Sequence, residues 1–144
     1  MAIQSAAGAT MSIGTTVAAT TASEYGADTY AAIGNLESIG EFGDAFNPVT
    51  FTGLSDSRVQ KFKGSADAGD VSFTYAFEAA DAGQVALIAA HAASASYNVK
   101  ITFSGGEVRY FKAQIMSLKE GAPNADSILM VNGSMSINTA IVQA

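Results

Sequence analysis

The chain contains no cysteine. That excludes a disulfide scaffold and a thiolate metal centre, and it leaves the redox compartment open. Charged side chains are also scarce: they make up 14% of the 144 residues, against 49% apolar ones. Such a balance excludes disorder throughout and leaves room for one domain with a real core, expected to span residues 1–144. No apolar run reaches the ~18 residues of a membrane span. The first residues lack the basic stretch of a secretory leader, so neither a leader nor a membrane partner is expected. Histidine occurs once, as His91. No G-x-S-x-G elbow accompanies it; Gly53-Leu54-Ser55-Asp56-Ser57 matches that pattern only at its first and third positions. There is no phosphate-cradling loop and no G-x-G-x-x-G. Asp67, Asp70 and Asp81 lack EF-hand spacing. His91 reads as a helix-surface residue, and the expectation is no enzyme, no cofactor and no metal.

Basic residues are missing from one part of the chain. Residues 1–57 hold Glu24, Asp28, Glu37, Glu41, Asp44 and Asp56 and no base, whereas residues 58–144 hold seven acids and seven bases. The net charge of −6 therefore sits in the first 57 residues. A surface built from them repels polyanions, which argues against ordinary nucleic-acid binding. The plainer reading of the same charge is a solubility device.

What is present is organised around residues 71–103, which read strand, helix, strand. Val71, Phe73, Tyr75 and Phe77 alternate with Ser72, Thr74, Ala76 and Glu78, the period of a strand packed on one face. Asp81-Ala82-Gly83-Gln84 has the form of a capping box, with Gln84 reaching back to the N-cap. The helix expected over 81–93 carries an apolar stripe of Val85, Ile88, Ala89 and Ala92. Val85, Leu87 and Ile88 are its candidate core contacts. Tyr97, Val99, Ile101 and Phe103 then resume the alternation. No second helix is predicted.

Elsewhere the patterns are weaker. Residues 1–29 are rich in Ala, Thr, Ser and Gly, with a short strand at Met11, Ile13, Thr15 and Val17. The segment is expected to be mobile in isolation and held by neighbouring molecules. Ile33, Leu36, Ile39 and Phe42 recur every three residues between Gly34 and Gly40, which reads as a strand with a bulge. In a strand there, Glu37 and Glu41 share a face. Residues 43–64 read as a long two-stranded arm with little core of its own, or as a surface loop. Its patches are Val49, Phe51, Val59 and Phe62; Arg58, Lys61 and Lys63 are the first bases in the chain. Ser104-Gly105-Gly106-Glu107 reads as a hairpin turn. Residues 108–119 are strand with apolar side chains on both faces, which implies a second sheet or a subunit contact. Leu129, Val131, Met135 and Ile137 mark the last strand. The fold class is mainly β with one α-helix: a β-sandwich or partly closed barrel with the helix on its flank.

Several segments, taken in order, resemble the tail tube protein (major tail protein) family of long-tailed bacteriophages and related phage-derived particles. They are residues 33–39 (IGNLESI), 51–56 (FTGLSD), 61–65 (KFKGS), 81–84 (DAGQ), 110–113 (YFKA) and 135–138 (MSIN). The resemblance runs from about Ile33 to Ile141. It implies a β-sandwich protomer with one flanking helix, closing as homohexameric rings that stack into a tube in the virion tail after synthesis in the host cytoplasm. It further implies an acidic lumen through which DNA passes without specific binding, here assigned to Glu37 and Glu41. The implied partners are a tape measure protein, a tail terminator and distal tail proteins. Val49, Phe51, Arg58, Lys61, Phe62 and Lys63 become candidate inter-subunit contacts. Competing readings are a small-ligand-binding β-barrel, the tube of a contractile or secretion-type machine, and an enzyme using a cleft beside His91.

Overall fold

A computed structural model describes residues 3–55 and 57–144. Asp56, part of the expected turn at 54–57 and of the acidic count, lies outside the described residues. The weak alternation near the amino end becomes β1 (Thr10–Ile13), with Met11 and Ile13 buried. A helix that sequence reading did not predict follows, α1 (Ala22–Gly26). Thr21 caps it by accepting from the Glu24 N–H at 3.3 Å. The Glu24 carboxylate accepts from the Thr20 and Thr21 hydroxyls at 3.0 and 3.1 Å. Thr-x-x-Glu is a helix-start signature, but no apolar repeat follows it to draw attention.

The ambiguous stretch divides into β2 (Ala31–Ala32) and β3 (Leu36–Ile39). Asn35 between them takes a left-handed φ of 57°, a conformation Asn tolerates better than most residues. The expected irregularity is present, a register shift between Leu36 and Ser38. It separates the two glutamates: Glu37 sits in the shift and Glu41 lies beyond the strand's end, so they do not share one strand face. The arm is β4 (Ala45–Phe51) and β5 (Gln60–Asp67), an antiparallel ribbon apart from the main sheet.

The central alternation forms β6 (Asp70–Ala76), with Val71, Phe73 and Tyr75 buried. Then come α2 (Ala82–Ala92), β7 (Tyr97–Thr102), β8 (Val108–Gly121), β9 (Met130–Ile137) and a short β10 (Val142–Gln143) that pairs with β8. The main sheet is antiparallel, with order β2-β1-β7-β8-β9-β6-β3. Side chains from strands toward opposite ends of that order, Ile13 of β1 and Ile39 of β3, enter one apolar cluster with Phe73, Leu87, Phe111 and Met135. The sheet thus curls about its core without closing, and α2 lies on its flank against β8.

Asp81 caps α2 as expected; its carboxylate accepts from the Gln84 and Gly34 N–H groups at 3.1 and 3.0 Å. Gln84 does not complete the box. Its Oε1 accepts from the Glu78 N–H at 2.7 Å, and its Nε2 donates to the Gly34 and Ala76 carbonyls at 2.9 and 3.0 Å. Gly83 packs on the Ala32 backbone with no space for a side chain. These contacts turn Gly83, Gln84, Leu87 and Ala90 inward. Leu87 is fully buried, but Val85 and Ile88 are 52% and 48% exposed in the protomer, so the expected Val85–Ile88 stripe is the outer face. The cost of leaving buried backbone groups unpaired outweighs the apolar spacing.

The two-faced strand β8 has a different explanation from the expected one. Phe111, Ala113 and Ile115 enter the main core. On the opposite face Tyr110 and Val108 meet Ala19, Tyr25, Tyr30 and Val142, and the Tyr25 and Tyr110 rings stack at 5.4 Å. The cover is therefore the chain's own amino-terminal segment. A register shift between Ile115 and Ser117 then rephases the strand, leaving Met116 exposed and Leu118 against the core. The segment itself is pinned by fully buried Asn98, whose Nδ2 donates to the Val17 carbonyl at 3.0 Å and to Asp28 at 2.9 Å. Lys112 donates to the Asn98 Oδ1 and to the Val17 carbonyl, both at 2.7 Å. The expectation that residues 1–29 are held by neighbours is thus corrected for residues 10–28.

Candidate assembly surface

Every residue of β4 is exposed, and so is every residue of β5 except Gly64. The register sorts their side chains. Val49 stands opposite Phe62, Thr50 opposite Lys61, Phe51 opposite Gln60 and Pro48 opposite Lys63. Partners in an antiparallel pair share a face, and successive residues alternate. Val49, Phe51 and Phe62 therefore form one apolar face, at 54%, 60% and 56% exposure. Lys61 and Lys63 stand on the other, with the Lys63 ammonium 4.7 Å from the Phe46 ring centroid. Arg58 precedes the second strand. The sequence had grouped these six residues together; the ribbon separates Val49, Phe51 and Phe62 from Lys61 and Lys63.

The acids of the first 57 residues also divide. Glu24 is taken up by the α1 cap. Asp28 accepts from the Thr15 hydroxyl and N–H, the Thr29 N–H and Asn98. Partial burial raises its carboxyl pKa, but these hydrogen bonds outweigh it, and the net shift is below the ordinary aspartate value. Burial, with the Asp28 charge adding to it, pushes the neighbouring Tyr30 phenol up. Glu37, Glu41 and Asp44 remain exposed, running from β3 to the root of the arm.

Two open clefts flank β3. One, of about 980 Å³, lies between residues 36–42, the amino-terminal residues 4–9 and the β7–β8 hairpin, with Leu36, Phe42 and Phe103 in its wall. The other, of about 730 Å³, includes Glu37, Asp126 and Ile128. His91 is exposed in the last turn of α2 and lines neither cleft. Among the described residues no group of three His, Asp or Glu is placed to hold a metal ion. The surface offers two uncharged apolar faces, the ribbon and the outer side of α2, and an acidic run between the sheet edge and the ribbon.

A family model described as the lambda phage tail tube protein matches residues 23–137. The chain belongs to that family. The match takes in the ribbon, α2 and the sheet from β2 to β9. Solved structures agree in fold. The SPP1 tail tube superposes with a TM-score of 0.70 at 13% identity, covering 94% of this chain and 75% of that one. The tail of an empty gene transfer agent particle gives 0.67 at 12%, covering 92% of each. The sheath–tube complex of the extracellular contractile injection system PVC gives 0.64 at 11%, covering 94% and 87%. Comparison with curated protein sequences gives no match. The outer role of Val85 and Ile88 was readable from neither periodicity nor capping.

Proposed function

We propose that the chain is the structural subunit of a tail tube, that copies close as homohexameric rings, and that the rings stack around a channel for genome delivery. The observation that carries this reading is the family match across residues 23–137. The gene transfer agent tail has C6 symmetry, which supports six copies per ring. Residues 1–144 act as one tube-forming unit: the amino-terminal segment 1–29, of which residues 17–30 cover β8, the arm 43–64, and the helix 81–93. The arm lies on a neighbouring copy, where Val49, Phe51 and Phe62 are covered and Arg58, Lys61 and Lys63 meet acidic side chains. Leu87 holds the helix to the protomer. Glu37 and Glu41 line the lumen, where a negative wall denies phosphates the cationic contacts that drive DNA binding. No residue has a catalytic role, and no cofactor is used.

The expected partners are further copies of the chain, a tape measure protein within the tube, and terminator and distal proteins at its ends. A tube terminator and a tube-terminating cap occur among the similar structures, which supports the terminator. The place of action is the virion tail, reached from the host cytoplasm. The PVC likeness favours a second reading, the tube of a contractile machine with the same protomer fold. Negative-stain electron microscopy of the purified protein tests both. Rings or tubes of uniform diameter are expected; a protein that stays monomeric at every concentration and salt condition overturns the reading. Sheath binding to the tube separates the contractile from the non-contractile case.

A further inference from the structure

We propose that the seat of the arm is the outer face of α2 on a second copy of this chain, a head-to-tail contact between Val49, Phe51 and Phe62 of one protomer and Val85, Ile88, Ala89 and Ala92 of the next. The inference rests on the reading of the arm as an inter-subunit element and names the surface it meets. Apart from the inward-turned Gln84 and from His91 in its last turn, helix α2 is apolar. Gly83, Leu87 and Ala90 are buried, Val85, Ile88, Ala89 and Ala92 are exposed, and residues 82–92 contain no Asp, Glu, Lys or Arg. A helix with no continuous polar face is one whose outer side is also covered. The ribbon's apolar face is equally free of charge, since its lysines point the other way. Joining the two desolvates no charged group, as the centres of protein interfaces require.

The dimensions agree. From Val85 to Ala92 the helix advances about 10 Å, and Val49, Phe51 and Phe62 span about 7 Å along the ribbon by 5 Å across it. The two faces belong to different elements of one chain, and within the protomer both are exposed. Each copy thus offers one of each, which makes the contact heterologous and able to propagate into a ring or stack. Its size sets how it works. Two phenylalanines bury roughly 150–250 Å² each when fully covered, and these are about half covered already. The patch therefore falls well short of the ~800 Å² per partner of a stable pair. An isolated dimer is not expected; the contact holds only when each subunit is engaged at both faces.

The absence of cysteine makes the test clean. A chain carrying Phe51→Cys and Ile88→Cys, and a second carrying Phe62→Cys and Val85→Cys, are assembled and then oxidised. At least one should give a ladder of covalent multimers beyond the dimer on a non-reducing gel, while the corresponding single-cysteine chains stay monomeric. Ile88→Lys should abolish assembly while leaving the protomer's thermal melt unchanged. Assembled particles from both pairs with no ladder overturn the proposal, and so do normal tubes from Ile88→Lys. Replacing the arm by a Gly-Ser link separates the two levels of the argument. If that chain folds but does not assemble, an absent ladder counts against the seat alone; if it builds normal tubes, the arm reading falls and the seat with it.

Discussion

Gln84 and Leu87 are three residues apart on one helix, and together they set which side of it faces the core. Leu87 is fully buried and belongs to the main apolar cluster. Leu87→Ala should destabilise the protomer by about 2–5 kcal/mol, the usual cost of removing a buried leucine side chain, as read by urea denaturation. Val85→Ala and Ile88→Ala should stay within about 0.5 kcal/mol in the same measurement, as exposed substitutions do. Equal losses at all three would mean that the helix is rotated. Gln84→Ala should also destabilise the chain, because the Gly34 and Ala76 carbonyls and the Glu78 N–H lose their partner, at about 1–3 kcal/mol for each buried group left unsatisfied. A neutral Gln84→Ala would show that water replaces it. Asp81 and Gln84 stood out in the sequence as a cap. The inward turn of Gln84 did not, because its partners lie in the 32–35 turn and at the end of β6, and no local pattern announces a hydrogen bond across 50 residues.

Elements were legible where a single local rule governed them. The alternation of β6 and β7, the Asp81 cap, the Gly-Gly hairpin and the self-contained ribbon follow from period and turn chemistry. The Phe103–Glu107 hydrogen bond at 2.9 Å and the positive φ of Gly106 bear out the hairpin. Illegible were α1 and β10, each too short to show a period, and the cover on the second face of β8. That cover comes from residues 15–30, whose attachment depends on Asn98, Asp28 and Lys112 rather than on an apolar pattern. Its acid sensitivity follows from Asp28. The folded-state pKa is depressed, so the associated stability is fully present above the ordinary value of about 3.9. It is lost as pH falls through the lower, folded-state value. Amide exchange at residues 15–29 should rise as the pH is taken below about 4, ahead of exchange in β8 and β9, after correction for intrinsic rates. Asp28→Asn should flatten that pH response. If the segment stays protected as long as the central strands do, Asp28 is not what pins it.

At the scale of the whole molecule, the charge asymmetry read from the sequence survives in reduced form. Glu24 and Asp28 are engaged in local structure, which among the described residues leaves Glu37, Glu41 and Asp44 as the exposed acids running from the sheet edge to the arm's root. Placing Glu37 and Glu41 in the lumen no longer depends on their sharing a strand face; it needs only that this edge of the sheet turn toward the tube axis. The double variant Glu37→Lys with Glu41→Lys tests that placement. Both side chains are exposed and neither carries a fold contact comparable to that of Asp28, so the variant should melt like the parent and still form tubes. Each substitution replaces a repelling group with a cation, and phosphate contacts of that kind are driven by release of counterions from DNA. In the proposed hexameric rings the effect is multiplied along the channel. DNA ejection from particles built with the variant should slow or stop at low salt and recover as salt is raised, because screening and counterion competition both weaken the contacts. Ejection at the parental rate at every salt concentration would place these two side chains away from the channel. Failure to form tubes at all would instead put this edge of the sheet in a subunit contact.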